Sequence, residues 1–302
     1  MEKARIRFFE KAANDGFKGL EIKQYDGWEL RFSEGYTRRV NSVSVYEDGE
    51  LDVDEKIAYC ENEYKSHGLP CIFKITDADR ELAEKLRERG YIIAAPTDLM
   101  ILKLEEYQSD NPEENLKNVV FSAEPDTWYE PYFEFEGPKD AKNQELCKRV
   151  NNNVTLDKLF VKVMHDGSTA AVASTATGEG YSLLHNVVVN ESLRGIGLGE
   201  KLCRATIEKS KELGAKYLYL QVLQDNTIAL NLYKKIGFVK LYEYCYMKKD
   251  CNPVQKGDTM NVLVETERLI ITEMTMDMAM DIHKNSLDED TRRFVPDEVF
   301  ET

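Results

Sequence analysis

Arg194-Gly195-Ile196-Gly197-Leu198-Gly199 is the stretch from which the rest of the chain can be read. It follows the apolar run Leu183 to Val189, which predicts a strand, and opens the amphipathic segment Glu200 to Leu213, which predicts a helix. Glycines at alternate positions let backbone N–H groups turn inward with no Cβ in the way. A helix N-terminus adds partial positive charge, so main chain alone can hold a pyrophosphate. Arg194 adds a charge-assisted contact. Two other phosphate loops do not fit. A P-loop ends in Gly-Lys-Ser/Thr, whereas this chain reads Gly199-Glu200-Lys201. A dinucleotide loop needs Gly-x-Gly-x-x-Gly and an acidic residue about 20 positions on. Here the glycine spacing differs, and the next predicted strand, Tyr217 to Leu223, runs through Gln224-Asp225-Asn226 into another helix.

The remaining pattern, Arg-x-x-Gly-x-Gly, resembles the pyrophosphate loop of the GNAT acetyltransferase superfamily. Downstream, Asn226-x-x-Ala229-x-x-x-Tyr233-x-x-x-Gly237-Phe238 resembles that family's second signature, in the right order. The likeness covers about residues 160 to 249. It implies an α/β (α+β) fold with a mixed, mostly antiparallel central sheet and flanking helices. It also implies acetyl-coenzyme A as cofactor. By resemblance, the pantetheine arm pairs with the splayed strand Asn186-Val187-Val188-Val189, and the pyrophosphate rests on Arg194, Gly195, Ile196, Gly197, Leu198, Gly199 and Glu200. Asn226 then lies close to the cofactor and Tyr233 near its sulfur.

The chemistry can be argued from the residues as well. A thioester carbonyl attacked by an amine gains negative charge on oxygen, which a backbone N–H near Val187 can stabilise. The departing thiolate needs a proton, and Tyr233 is the candidate donor. An ammonium group with a pKa of ~10.4 must also lose a proton, and His185, just before the cofactor strand, can relay it. Each residue has a plainer reading. Tyr233 falls on the apolar stripe Ile228, Leu232, Ile236, which reads as core. Asn226 reads as a helix cap, and His185 as a half-buried strand residue. The expected activity is acetyl transfer to a primary amine on a small molecule or peptide. A non-catalytic acyl-coenzyme A sensor, or an O- or protein N-terminal acetyltransferase, stands as the alternative.

Composition narrows the partners. A net charge of −15 argues against nucleic acid and anionic membrane surfaces and is compatible with amine-bearing acceptors. That balance is uneven, because residues 250 to 302 carry net −8. The cysteines Cys60, Cys71, Cys147, Cys203, Cys245 and Cys251 form no C-x-x-C pair and the histidines are scattered, so no metal site is expected. No signal peptide or long apolar run is visible, so a cytoplasmic protein with reduced thiols is expected, as monomer or homodimer.

A repeat lies in the first hundred residues. Leu69 to Ile75 reads as a strand, Asp79 to Arg89 as a helix, and Gly90-Tyr91-Ile92-Ile93 as a turn into another strand. The order matches Tyr217 to Val239 at an offset of 147, setting Gly90 against Gly237, Asp79 against Asn226 and Leu86 against Tyr233. Val43-Ser44-Val45 corresponds to the cofactor strand, but Tyr46-Glu47-Asp48-Gly49-Glu50-Leu51 follows it, and acidic residues cannot help a pyrophosphate. Residues 1–105 therefore read as a degenerate GNAT-like half unable to bind coenzyme A, 106–118 as a polar linker, 119–249 as the catalytic half, and 250–302 as an extension. Arg38 and Arg39 read as a solvated turn or as residues of a substrate cleft between the halves. Trp128, Tyr129, Tyr132, Phe133 and Phe135 read as core or as an acceptor pocket. In the extension, residues 266–272 followed by Asp277 to Asn285 resemble the first strand and helix of a ribosomal-protein alanine acetyltransferase-type GNAT domain. Its alternating residues are expected to pair with a sheet edge.

Overall fold

Parallel strand pairs cannot be joined by a tight turn and need a crossover, normally a helix. This chain makes two such units, whose crossover helices open 145 residues apart, at Val53 and at Leu198. The computed structural model describes residues 3–109, 111–125, 127–249, 262–265 and 270–272. Helix α1 (Lys3–Gly16) leads into the hairpin β1 (Glu21–Tyr25) and β2 (Trp28–Phe32), then β3 (Val43–Val45). Helix α2 (Val53–Ser66) crosses to β4 (Ile72–Thr76), followed by α3 (Arg80–Glu88) and β5 (Ile92–Lys103). After α4 (Pro112–Leu116) come β6 (Val119–Ser122), α5 (Tyr129–Phe135), α6 (Ala141–Asn153) and the meander β7 (Asp157–His165), β8 (Ser168–Gly178), β9 (Tyr181–Val189). Helix α7 (Leu198–Glu212) crosses to β10 (Tyr217–Leu223), followed by α8 (Thr227–Ile236) and β11 (Val239–Lys248).

These strands form one sheet in the order β1-β2-β3-β4-β11-β5-β10-β9-β8-β7-β6. Only β3 with β4 and β9 with β10 run parallel, as α2 and α7 require. The sheet is thus mixed and mostly antiparallel, the α/β architecture expected. The repeated order β-α-β-α-β is present in both halves, but their last strands are exchanged. Strand β11 lies between β4 and β5, and β5 lies between β11 and β10. Central strands must be apolar on both faces. Accordingly Leu99, Met100, Ile101 and Leu102 of β5 are all buried. Pro96 has no N–H for the ladder, and the strand bulges around it: Ala95 takes φ +49, and the β11 register shifts between Tyr244 and Tyr246.

Polar groups pin the exchange from one face. Glu10 of α1 pairs with Lys74 of β4 at 2.8 Å, both side chains 2% exposed, and accepts a 2.7 Å hydrogen bond from the Tyr242 hydroxyl on β11. Removing one partner from such a pair leaves a buried charge uncompensated, at about 3–5 kcal/mol. Among the sequence expectations, the aromatic cluster divides. Trp128 is core, its indole N–H donating to the Ala173 carbonyl at 2.9 Å, whereas Tyr132 reaches a cavity. The polar stretch 106–118 carries α4, whose cap Asn111 accepts from the Glu114 N–H and which packs on α7.

The chain divides into two units, Met1–Asp250 and Cys251–Thr302. In the second, β12 (Val262–Glu265) pairs antiparallel with β13 (Ile270–Thr272) in its own two-stranded sheet. The predicted helix at Asp277 to Asn285 and Cys251 lie outside the described residues. Among the described residues no helix is long and apolar enough to cross a membrane.

Candidate active site

Strands β9 and β10 pair from Tyr181 opposite Tyr217 to Leu184 opposite Leu220 and then part, although both run on. The cause is local. Asn186 adopts φ +54, a conformation asparagine tolerates better than most residues, and the register with β8 shifts between His185 and Val188. Asn186 and Val187 together oppose the single residue Ala173 of β8, and neither pairs with β10. A cleft of about 480 Å³ opens between the splayed strands, bordered by Val187, Val188, Val189, Arg194, Asn226 and Tyr233 among others.

At the mouth of this cleft, Gly195 and Gly197 have φ +84 and +89, and a Cβ on either would meet nothing within 4 Å. Glycine is therefore needed for backbone conformation and not for space. Gly197 is the N-cap of α7 and supplies no side-chain cap, which leaves the first-turn N–H groups available to an anion. Leu198 turns inward and is 8% exposed, while Ile196 is 59% exposed. The Glu200 carboxylate is drawn aside by Lys235 at 2.6 Å and Arg204 at 3.0 Å, and the Lys235 contact leads in holding it below the usual carboxylate range. Arg194 pairs with Glu136, at the end of α5, and with Glu191 at 3.6 Å.

The corresponding place in the first half is filled by the chain itself. Helix α2 is capped by Asp52, whose carboxylate accepts from the N–H groups of Asp54 and Glu55. Asp26 accepts from the Glu50 and Leu51 N–H groups, and hydrogen bonding from Lys56 is the first cause holding it at about 2. The amides a phosphate would use there already hold carboxylates.

Asn226 caps α8, its Oδ1 accepting from the Ala229 N–H at 3.1 Å. Seven residues on, Tyr233 is 7% exposed, borders the cleft, and meets Phe238 edge-on. Burial first, then nearby Cys203, pushes its hydroxyl well above the ordinary tyrosine value. His185 is 8% exposed and its Nδ1 finds no hydrogen-bond partner. Burial first, then the charge of Arg39, lowers it to about 3. Cys203 lies buried in the same core, and burial lifts its thiol to about 12, so it is inert packing.

A parallel pair that splays after a bulge, with an uncapped glycine-led helix on one side and a tyrosine-bearing helix on the other, is a specific arrangement, and comparison with known proteins agrees. Residues 3–247 match the family described as "Probable histone acetyltransferase Rv0428c C-terminal". The chain belongs to the GNAT acetyltransferase superfamily. It is 28% identical over 249 residues to the uncharacterized N-acetyltransferase YobR of Bacillus subtilis (strain 168), covering 81% of this chain and 98% of that protein. Over 113 residues it is 28% identical to a [ribosomal protein bS18]-alanine N-acetyltransferase of Haemophilus ducreyi, covering 37% of this chain and 75% of that one. In fold it is similar to a GCN5-related N-acetyltransferase from Kribbella flavida, with TM-score 0.60, 16% identity, and coverage of 83% and 97% of the two chains. A tandem GNAT protein from the clavulanic acid biosynthesis pathway gives TM-score 0.56 at 15% identity, covering 70% and 76%. The chain is accordingly an acyltransferase.

GNAT acetyltransferases use acetyl-coenzyme A as cosubstrate, and the residues present fit it: first-turn amides that no side chain caps, Arg194 beside them, and a strand edge at Val187 that does not pair with β10. The structure brings Val187, Val188, Val189, Arg194, Gly199, Asn226, Tyr233 and His185 to one cleft. One residue of the expected apolar stripe differs. Ile228, in the first turn of α8, is 85% exposed and lines the cleft instead of the core. Sequence reasoning missed Glu136, and placed Asn186 on the cofactor strand without seeing that the strand bulges there. Nothing in the spacing marks Glu136. An asparagine inside an apolar strand was an available sign of a bulge.

Proposed function

We propose that this GNAT protein transfers acetyl from acetyl-coenzyme A directly to a primary amine, at one site per chain, in the cleft between β9 and β10. The observation that carries the reading is the splay itself, which leaves backbone at Val187 without a β10 partner on a cleft that Tyr233 also borders. When bound, acetyl-coenzyme A supplies a thioester carbonyl to be attacked by the amine. First-turn amides of α7 and Arg194 hold the anionic end, and Glu136 gives up Arg194 as they do so. The Val187 N–H donates to the oxygen on which charge builds. The amine reacts in its neutral form, its ammonium proton lost to solvent; Tyr233 keeps its own proton at neutral and alkaline pH and holds it toward the departing sulfur, and the proton shed by the acylated nitrogen returns through solvent to restore it. Asn226 fixes the start of α8 and with it the position of Tyr233.

His185 takes a different role from the proton relay expected. Burial, with the charge of Arg39, holds it far below an amine, so it stays neutral and is a poor acceptor of the ammonium proton. It serves as a neutral hydrogen-bond acceptor in the wall of the cleft.

Calorimetric titration with acetyl-coenzyme A tests the site, with one equivalent per chain expected. In the Tyr233→Phe variant kcat is expected to fall by about 100-fold or more while the acetyl-coenzyme A affinity stays within about two-fold. Unchanged turnover removes Tyr233 from the chemistry.

A further inference from the structure

A second cavity of about 410 Å³ shares Arg39, Glu136 and Asn186 with the first, and is otherwise walled by residues including Phe17, Tyr36 and Tyr132. Arg39 comes from the first half of the chain, in a 3-10 turn whose shape is fixed at several points. Thr37 Oγ1 accepts from the Arg39 N–H at 3.2 Å, and Asn41 donates to the Thr37 carbonyl at 2.9 Å while accepting from Ser33 and Gly35. Val40 between them is fully buried. The turn points its two arginines apart. Arg38 is exposed over the Tyr246 ring, whereas Arg39 lies 4.2 Å over the Phe17 ring, and Phe17 meets His185 edge-on.

Among the described residues the Arg39 guanidinium makes no ion pair and no hydrogen bond, in a protein where acidic residues outnumber basic ones by 55 to 40. Its charge is felt inside the fold, where it lowers His185. A guanidinium held by an aromatic face, with its fork of donors unused on a cleft, is suited to a planar anion. Glu136, the carboxylate bordering both cavities, is already taken by Arg194.

We infer that Arg39 reads a carboxylate on the acceptor, which makes the acceptor a zwitterion of the amino-acid type and not a simple amine. The inference rests on the acetyltransferase reading above. A single arginine matches a monoanion, and the neighbouring Glu136 would repel a doubly charged phosphate. When the cofactor engages Arg194, Glu136 is released to face the acceptor's ammonium, so the two ends of a zwitterion meet opposite charges.

The test compares amino acids with their decarboxylated amines, ornithine with putrescine and tyrosine with tyramine, as acceptors and as ligands titrated into enzyme saturated with coenzyme A. The carboxylated member of a pair is expected to bind and turn over preferentially. Arg39→Ala should raise its KM and Kd by about 10- to 100-fold, leave kcat and the KM of the decarboxylated amine nearly unchanged, and be partly rescued by Arg39→Lys. Acetyl-coenzyme A affinity, measured on the same variants, reports on folding and on the cofactor site. Three results overturn the inference while the acetyltransferase reading stands: turnover of neither pair, no carboxylate preference, or a preference unaltered in Arg39→Ala. A loss of acetyl-coenzyme A affinity in Arg39→Ala as large as in Arg194→Ala would make Arg39 a cofactor residue and also overturn it. Failure of the wild-type protein to bind acetyl-coenzyme A would remove the reading beneath it.

Discussion

His185 shows how one buried side chain couples the cleft to pH. The folded protein holds it neutral down to about 3, while in the unfolded chain it binds a proton near 6.5. Between those values the unfolded state binds more protons, so this group's contribution is present above pH 6.5 and is lost as pH falls toward 3. Each pH unit in that window costs up to about 1.4 kcal/mol. The melting temperature is expected to fall on that limb, and His185→Phe should flatten it; an identical limb in the variant would mean another group titrates there. At this scale the sequence was legible wherever function follows fixed helical spacing. Asn226 and Tyr233 lie seven residues apart on one helix, which sets both on the cleft. Arg39 was legible as a cleft residue only as one of two readings of the Arg38-Arg39 pair, and Glu136 was not legible at all, because it meets Arg194 only through a contact of long sequence separation.

At the scale of elements, the contrast between the two crossover helices separates the halves. Helix α7 opens on an uncapped glycine at φ +89, and α2 opens on an aspartate that caps itself. Gly197→Val puts a β-branched residue at positive φ, a strain of about 1–2 kcal/mol that the loop can relieve only by moving its amides. Acetyl-coenzyme A affinity is expected to drop about ten-fold or more, with little change in the unfolding of the rest. Calorimetric titration checks this, and unaltered affinity would detach the loop from the site. Strand-loop-helix order and the repeated helix-Gly-aromatic-strand were readable from apolar periodicity and turn residues. The bulge at Asn186 and the kink at Pro96 were not, since each depends on the register of a neighbouring strand.

For the whole molecule, the exchanged strands mean that neither half encloses its own sheet. Strand β5 fills the gap between β10 and β11, and β11 the gap between β4 and β5. A single cooperative thermal transition is expected for residues 1–250, and residues 1–105 and 106–250 expressed separately should each fail to fold. Two resolved transitions in calorimetry, or a folded isolated half, would contradict this. Periodicity could not reveal the exchange, because an alternating or continuous apolar strand fits any open edge, and only pairing specifies which. The arrangement also has a temporal side. Residues 92–103 emerge from the ribosome more than 100 positions before β10 and β11 exist to cover them, an interval of about 5–20 s at ordinary elongation rates. Throughout that interval the nascent chain carries an apolar strand with both edges bare, so synthesis of this protein depends on keeping that strand from pairing with another chain.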